Sequence, residues 1–354
     1  MIFKIFDLSR EDEWKKQLDL IPDQFKDIYY SPAYYKTWKE HEQAEPLCVY
    51  AEKEGVKLLY PFFKKEIQGY NLKEKYYDIQ SAYGYGGVIS NTKEISQTLL
   101  VDFNKKFDGW CKDSNIVAEF IRENPFLNNK EQYIRDVSYI LVRKNVYADL
   151  TNKVDFDFIN KNAYRNIKKA LKYGLIVEID SNCDNIEDFQ RLYTKTFQRL
   201  NMSNFYNFQE NYFQKLKPLL GNKVKLLNIR YEEGIIASIV LLEDSNKATY
   251  HLGASDFNYA KYFPNDLLFH TMIEYSIANN INYLSFGGGT TNDEQDSLLR
   301  FKRKYSNLEK DVYIGKKVHH TEIYQELCRL WEQQTSSKNN NKYKNFFLKY
   351  RMDK

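Results

Sequence analysis

What most constrains this chain is a grammar stated twice. Residues 47–51 and 57–62 are apolar runs flanking Glu54-Gly55, and residues 224–230 and 235–242 flank Glu233-Gly234 in the same way. An apolar run, a short turn with glycine and a second apolar run form a hairpin signal. After the first hairpin come Tyr76-Tyr77-Asp78, the segment SAYGYGGV (81–88), a helix over 93–112 and a strand over 116–122. After the second come a strand over 248–252, a helix over 264–280 and a strand over 283–286. The hairpins are about one domain length apart, so the pattern reads as a structural duplication. The expectation is two mixed α/β domains, 1–148 and 149–335, each a twisted mixed sheet flanked by helices, and a tail over 336–354.

The helical spans carry their own punctuation. Ser31-Pro32 is a cap and first turn for a helix over 32–42. Ile95, Leu99, Phe103, Phe107 and Trp110 recur at helical spacing. A basic amphipathic helix over 158–173 stops at Gly174, a C-cap position. Residues 148–154, where a strand pattern gives way to polar residues, form the expected boundary. The tail is an Asn/Lys stretch leading into Phe346, Phe347, Leu348 and Tyr350 among lysines. It is expected to be weakly ordered; a basic-aromatic contact with a membrane surface is the other reading.

Composition narrows the function classes. A net charge of +4, from 52 basic and 48 acidic residues, does not by itself call for a nucleic-acid partner. Cys48, Cys111, Cys183 and Cys328 are far apart and lack a CxxC pair, so neither a disulfide framework nor a metal site is expected. The early acidic residues of the N-terminal segment do not fit a secretory signal, and the expected location is cytoplasmic. Thirty tyrosines suit a cleft for a large ligand of mixed polarity, and A/T-rich codon bias accounts for them equally well.

Four constellations bear on chemistry. In SAYGYGG, Tyr83 and Tyr85 share a face if the segment is extended, and the glycines allow close backbone approach, giving either a ligand-lining wall or a bulged strand. Arg165, Lys168, Lys169 and Lys172 form one helical stripe, either a phosphate cradle or a solvated face. Arg199, at a helix end with Tyr206 downstream, is a candidate clamp on a carboxylate or phosphate. The fourth runs from YHLGAS through FGGG to LLRFK. Here alternation puts Tyr250 on one strand face and His251, a candidate base or structural residue, on the other. If residues 296–304 fold back as a helix, Lys302 comes beside the Gly287-Gly288-Gly289 strand end, where a cation stabilises an oxyanion. The sequence has no GxSxG elbow, no GxxxxGK[ST] loop and no HExxH pair, and GGGTTND is not a dinucleotide fingerprint.

Taken in order, SAYGYGG, RNIKKALK, TFQR, GIIASIVLL, YHLGAS, PNDLLFHTMIEYS, YLSFGGG and LLRFKRKY resemble the Fem/BioF2-like acyltransferases of the GNAT-like superfamily. The resemblance spans about residues 20–315. It implies two tandem GNAT-like domains with substrate along a cleft between them. No heptad insert fits between Ala170 and Arg199, so the chain is of the type without a coiled-coil insertion. The resemblance implicates Tyr85 in a first-domain wall, Arg199 and Tyr206 in anchoring, Tyr250 at the strand end, Lys302 at the reacting carbonyl and Lys36 near a phosphorylated acceptor. It implies transfer of an acyl or aminoacyl group to an amine of a nucleotide- or lipid-linked cell-envelope sugar precursor; contact with the inner membrane face is the other reading of the basic-aromatic tail. The donor is aminoacyl-tRNA or acyl-CoA, and no tightly bound cofactor or metal is implied. One departure stands out: the CoA loop [QR]xxGx[GA] is missing between Leu252 and Pro264. The rival readings are an acyl-CoA-dependent N-acyltransferase of a nucleotide-linked amino sugar and a non-catalytic glycan-precursor binding protein.

Overall fold

The computed structural model describes residues 1–127, 136–151, 157–208 and 210–354. The chain begins with β1 (Ile2–Phe6), α1 (Glu11–Asp19) and α2 (Pro32–Glu42). α2 starts as its sequence dictates: Ser31 Oγ accepts from Tyr34 N at 3.2 Å, Pro32 fills the first turn, and Gln43 closes the helix in the left-handed conformation. β2 (Glu45–Lys53) and β3 (Val56–Glu66) form the first hairpin. Glu54 and Gly55 have φ of +54° and +81°, the doubly left-handed turn that matches strand twist. Then come β4 (Tyr77–Gln80), β5 (Ile89–Ser90), α3 (Gln97–Asp113) and β6 (Ile116–Arg122). α3 starts four residues later than its apolar spacing predicts, because Ser96 caps Leu99 N.

β7 (Ser138–Asp149) leads to α4 (Lys161–Lys172), β8 (Ile176–Asp180), α5 (Ile186–Arg199) and α6 (Glu210–Leu220). β9 (Val224–Tyr231) and β10 (Gly234–Asp244) form the second hairpin. Its turn is Glu232-Glu233, with Glu232 left-handed and Gly234 already paired with Tyr231, one residue earlier than expected. β11 (Lys247–Ser255), α7 (Pro264–Ala278), β12 (Tyr283–Gly288) and α8 (Ser297–Lys302) follow. The chain closes with β13 (Leu308–Val318), α9 (Thr321–Gln334) and α10 (Ser337–Tyr343).

Two compact units result, one of Met1–Leu141 with Val312–Lys354, the other of Val142–Asp311. Their sheets are built alike. In the first the order is β1-β2-β3-β4-β6-β13, with β4 and β6 parallel and the other pairs antiparallel. In the second it is β8-β9-β10-β11-β12-β7, with β11 and β12 parallel and the other pairs antiparallel. In each, an antiparallel meander ends in a β-helix-β crossover, so both halves are mixed sheets flanked by helices. β10 is buried continuously over 235–242, as an inner strand covered on both faces requires. α4 sets Ala163, Ile167 and Ala170 into the second core and leaves its basic face in water.

The unit boundaries differ from the expected 148/149 and 335/336. The strand after each half's crossover is the reason: β7 joins the sheet of the second unit through Asn145–Asp149, and β13 returns to β6 of the first. Part of the expected boundary segment, 152–156, lies outside the described residues. The tail also differs from its expectation. Asp78 is 1% exposed, and burial pushes its carboxyl up; Arg351 Nε at 2.6 Å and Tyr350 OH at 2.8 Å pull the other way. Leu348 and Tyr350 pack with Leu327 and Trp331 of α9 and with Val117 and Ala118 of β6. A buried carboxylate that needs these partners ties residues 348–351 down.

Candidate active site

The densest chemistry in the second unit gathers where β12 ends. Asp296 begins α8 as its N-cap, accepting from Leu298 N and Leu299 N, both at 2.9 Å. Its other oxygen accepts from the amides and hydroxyls of Thr290 and Thr291, six hydrogen bonds in all. Burial would raise this carboxyl, but those donors outweigh it and hold it well below the usual range. One side chain therefore folds the loop after the glycines back and starts the helix that carries Lys302.

Lys302 is 3% exposed, and its Nζ donates to Gly288 O at 2.7 Å. Burial, with the Arg143 guanidinium adding to it, lowers the ammonium to about 7; Asp296 opposes both. Nζ lies 5.1 Å from the centroid of the Tyr250 ring, a cation–π distance. Tyr250 is half-buried, and burial lifts its phenol to about 12, so it stays a hydrogen-bond donor at neutral pH. A Cβ on Gly253 would stand 2.1 Å from the Tyr250 oxygen, so only glycine admits that hydroxyl. Gly287, at φ +74°, turns the strand end, and a Cβ there would meet Lys302 Nζ at 3.4 Å. Lys302, Tyr250 and the glycine-rich strand end are thus brought together.

The other expected residues are more scattered. His251 points off the opposite strand face, bonded to Tyr212 OH at 2.6 Å, and burial lowers its imidazole to about 3. It is a neutral, satisfied residue away from the Lys302 face. Arg199 lies over the Phe257 ring at 5.1 Å, while Tyr206 accepts at its carbonyl from Tyr193 OH at 3.0 Å. Arg165 is exposed and bonded to Asn162; Lys168 and Lys169 lie over different rings, Tyr164 and Phe263.

In the first unit, Lys36 pairs with Glu11. Gly84 at φ +93° breaks the alternation expected of SAYGYGG. Tyr85 meets Tyr29 edge-on at 5.2 Å, and Tyr83 lies against Trp38 at 4.8 Å.

Two residues escaped the sequence reading. Asp296 had a visible signal, an acid just before SLLRFK in cap position. Arg143 had none, since its neighbourhood depends on β7 pairing with β12, a contact between distant segments.

At the position of the missing CoA loop, α7 starts at Pro264, and its first turn holds a buried acid, Asp266. Tyr305 OH donates to Asp266 at 2.8 Å. The first turn of α7 thus already carries an acidic side chain with a hydrogen-bond partner of its own. Among the described residues, no group of three or more His, Cys, Asp and Glu side chains could hold a metal ion, and no helix is long and apolar enough to cross a membrane.

Residues 159–303 match the family described as acetyltransferase (GNAT) domain. A UDP-N-acetylmuramoylpentapeptide-lysine N(6)-alanyltransferase of Weissella viridescens is 22% identical over 193 residues, 53% of this chain and 56% of the relative. A lipid II:glycine glycyltransferase of Staphylococcus saprophyticus is 25% identical over 189 residues, 52% of this chain and 42% of the relative. The chain thus matches about half the length of these curated relatives. The crystal structure of FemX aligns with a TM-score of 0.68 at 13% identity, covering 91% of this chain and 99% of that one, a likeness of fold.

Proposed function

We propose that this chain acts as the Fem-type aminoacyltransferases to which it is similar do, forming an amide on an amine of a cell-envelope precursor; the sequence similarity to two such enzymes, the acetyltransferase-domain match and the shared fold support this reading. The acceptor is a lipid- or nucleotide-linked sugar carrying a peptide or amino group. Its nitrogen attacks the donor carbonyl carbon. The C–N bond forms, the C–O bond to a terminal ribose breaks, and a proton from the amine goes to the leaving oxygen directly or through water.

The observation that carries this reading is Lys302: a buried cation, fixed on Gly288 O beside the Tyr250 ring. A cation so placed is available to the oxygen that becomes charged in the tetrahedral intermediate, a contribution of about 3 kcal/mol for one such donor. Tyr250 orients the acceptor. Arg199, Tyr206 and Arg165 are candidates for anionic parts of either substrate, and Lys36, Tyr83 and Tyr85 for acceptor contacts in the first unit. The acid in the first turn of α7 favours aminoacyl-tRNA as donor over acyl-CoA. The acetyltransferase-domain match over 159–303 favours the second reading, acyl-CoA. A lipid-linked acceptor would bring the reaction to the cytoplasmic face of the membrane, whereas a nucleotide-linked one would not.

The test pairs aminoacyl-tRNA or acyl-CoA with a UDP-linked muramoyl pentapeptide or lipid II and reads the acceptor mass. The expected product needs aminoacyl-tRNA, disappears with ribonuclease and falls about 100-fold in Lys302→Met. Acceptor-induced thermal stabilisation with no product from any pair would leave a precursor-binding protein instead.

A further inference from the structure

Alternation along β7 puts Arg143 and Asn145 on one face and Lys144 on the other. Lys144 is well supplied with acid, having Glu294 at 3.1 Å and Glu309 at 3.4 Å. Arg303 takes the same two carboxylates, both at 2.5 Å. Arg143 has no such supply. Its Nε is buried without a hydrogen-bond partner, and it forms no ion pair among the described residues. Gly288 is the common neighbour of Arg143 and Lys302. A Cβ on Gly288 would come within 2.9 Å of Arg143 Cδ, while the Gly288 carbonyl holds Lys302 Nζ at 2.7 Å. The one acid acting on Lys302, Asp296, is spent on its six donors in the loop and the cap. Among the described residues, two cations thus flank one glycine with no free carboxylate paired to them, an arrangement that costs energy until an anion arrives.

We propose that Arg143 and Lys302 form a two-cation seat for an anionic oxygen group of the substrate, with Arg143 a further substrate-contacting residue. The guanidinium is suited to a group that offers two oxygens, and Lys302 adds a point charge. Two sources share that chemistry: a permanent phosphate or carboxylate next to the reacting bond, and the transient tetrahedral oxyanion. The seat bears on the transfer reaction through the acyl-transfer reading above. Its binding of an anion does not depend on that reading.

The probe is inorganic phosphate, titrated calorimetrically into the full chain and into Arg143→Gln, Arg143→Lys and Lys302→Met. Wild type is expected to bind in the millimolar range, Arg143→Gln at least tenfold more weakly, and Arg143→Lys in between. Thermal melting of each variant separates loss of binding from loss of fold, and recovery in Arg143→Lys covers the case where the Gln variant does not fold. Absence of binding by wild type at 10 mM phosphate, or equal binding by a folded Arg143→Gln, overturns the seat. In the transfer assay, a raised KM in Arg143→Gln assigns the seat to a permanent anion, and a lowered kcat at constant KM assigns it to the oxyanion. If KM and kcat both stay at their wild-type values, the seat's part in the reaction is overturned. Phosphate binding that needs Arg143, in a protein that makes no product from any donor, sinks the transferase reading and leaves the seat standing.

Discussion

Replacing Lys302 by methionine should make the protein more stable while it stops the reaction. Lowering the Lys302 ammonium from 10.5 to about 7 is a change of about 3,000-fold in proton affinity, or about 5 kcal/mol. Because the folded value is the depressed one, the unfolded chain binds the extra proton between pH 7 and 10.5, and stability rises with pH across that window. The cost is fully present below pH 7 and is relieved as the pH approaches 10.5. Near pH 7 it stands at about 4 kcal/mol, and at pH 9.5 at about 1 kcal/mol. Methionine fills a similar volume without charge but leaves the Gly288 carbonyl without its donor, a loss of about 1–2 kcal/mol. The net expectation is a variant about 2–3 kcal/mol more stable than wild type at pH 7, the gap falling by about 3 kcal/mol by pH 9.5. Urea unfolding followed by far-ultraviolet circular dichroism is the assay; all four tryptophans lie in the first unit and would report on the wrong half. Other titrating groups are common to both proteins and cancel in the difference. A Lys302→Met protein that is less stable at pH 7, or whose gap to wild type is flat between pH 7 and 9.5, would refute the claim that Lys302 is held there at the expense of the fold.

Further tests follow from neighbouring geometry. Arg143→Gln removes a like charge beside Lys302, so the Lys302 ammonium should rise. The high-pH fall in turnover, where Lys302 loses its proton, should then move to higher pH; an unmoved limb contradicts the coupling. Gly253→Ala places a methyl on the Tyr250 hydroxyl and should cost about 1–3 kcal/mol of stability, with turnover lost beyond what the melting shift explains. Arg351→Ala leaves Asp78 buried beside one remaining partner and should cost about 3 kcal/mol, read as a lower urea midpoint by tryptophan fluorescence. An unchanged midpoint would mean that the tail is dispensable.

Sequence made local structure legible and long-range pairing illegible. Ser31-Pro32, the apolar run of β10 and the Pro264 helix start are local signals, and their elements lie within a residue or two of expectation. Lys302 beside the glycines was conditional on a helix over 296–304, and the Asp296 cap supplies that condition. His251 was open because alternation names the face but not what waits there; Tyr212 does. For Tyr83 and Tyr85 the shared face was conditional on extended backbone, and Gly84, at φ +93°, does not meet that condition. Arg143 could not be found at all. Its meaning comes from the pairing of Asn145 with Gly288, 143 positions further along the chain, and no local pattern encodes that register.

The return of β13 to the first unit has a consequence for synthesis. Residues 142–311 are contiguous, so the second unit can close its sheet as soon as it leaves the ribosome. The first unit starts earlier and finishes later. Until residues 312–354 emerge, β6 presents an open edge and Asp78 lacks Tyr350 and Arg351. Nascent chains arrested after residue 311 should therefore carry a protease-resistant second half behind a first half that is still sensitive. The oldest part of the chain is the last to be sealed.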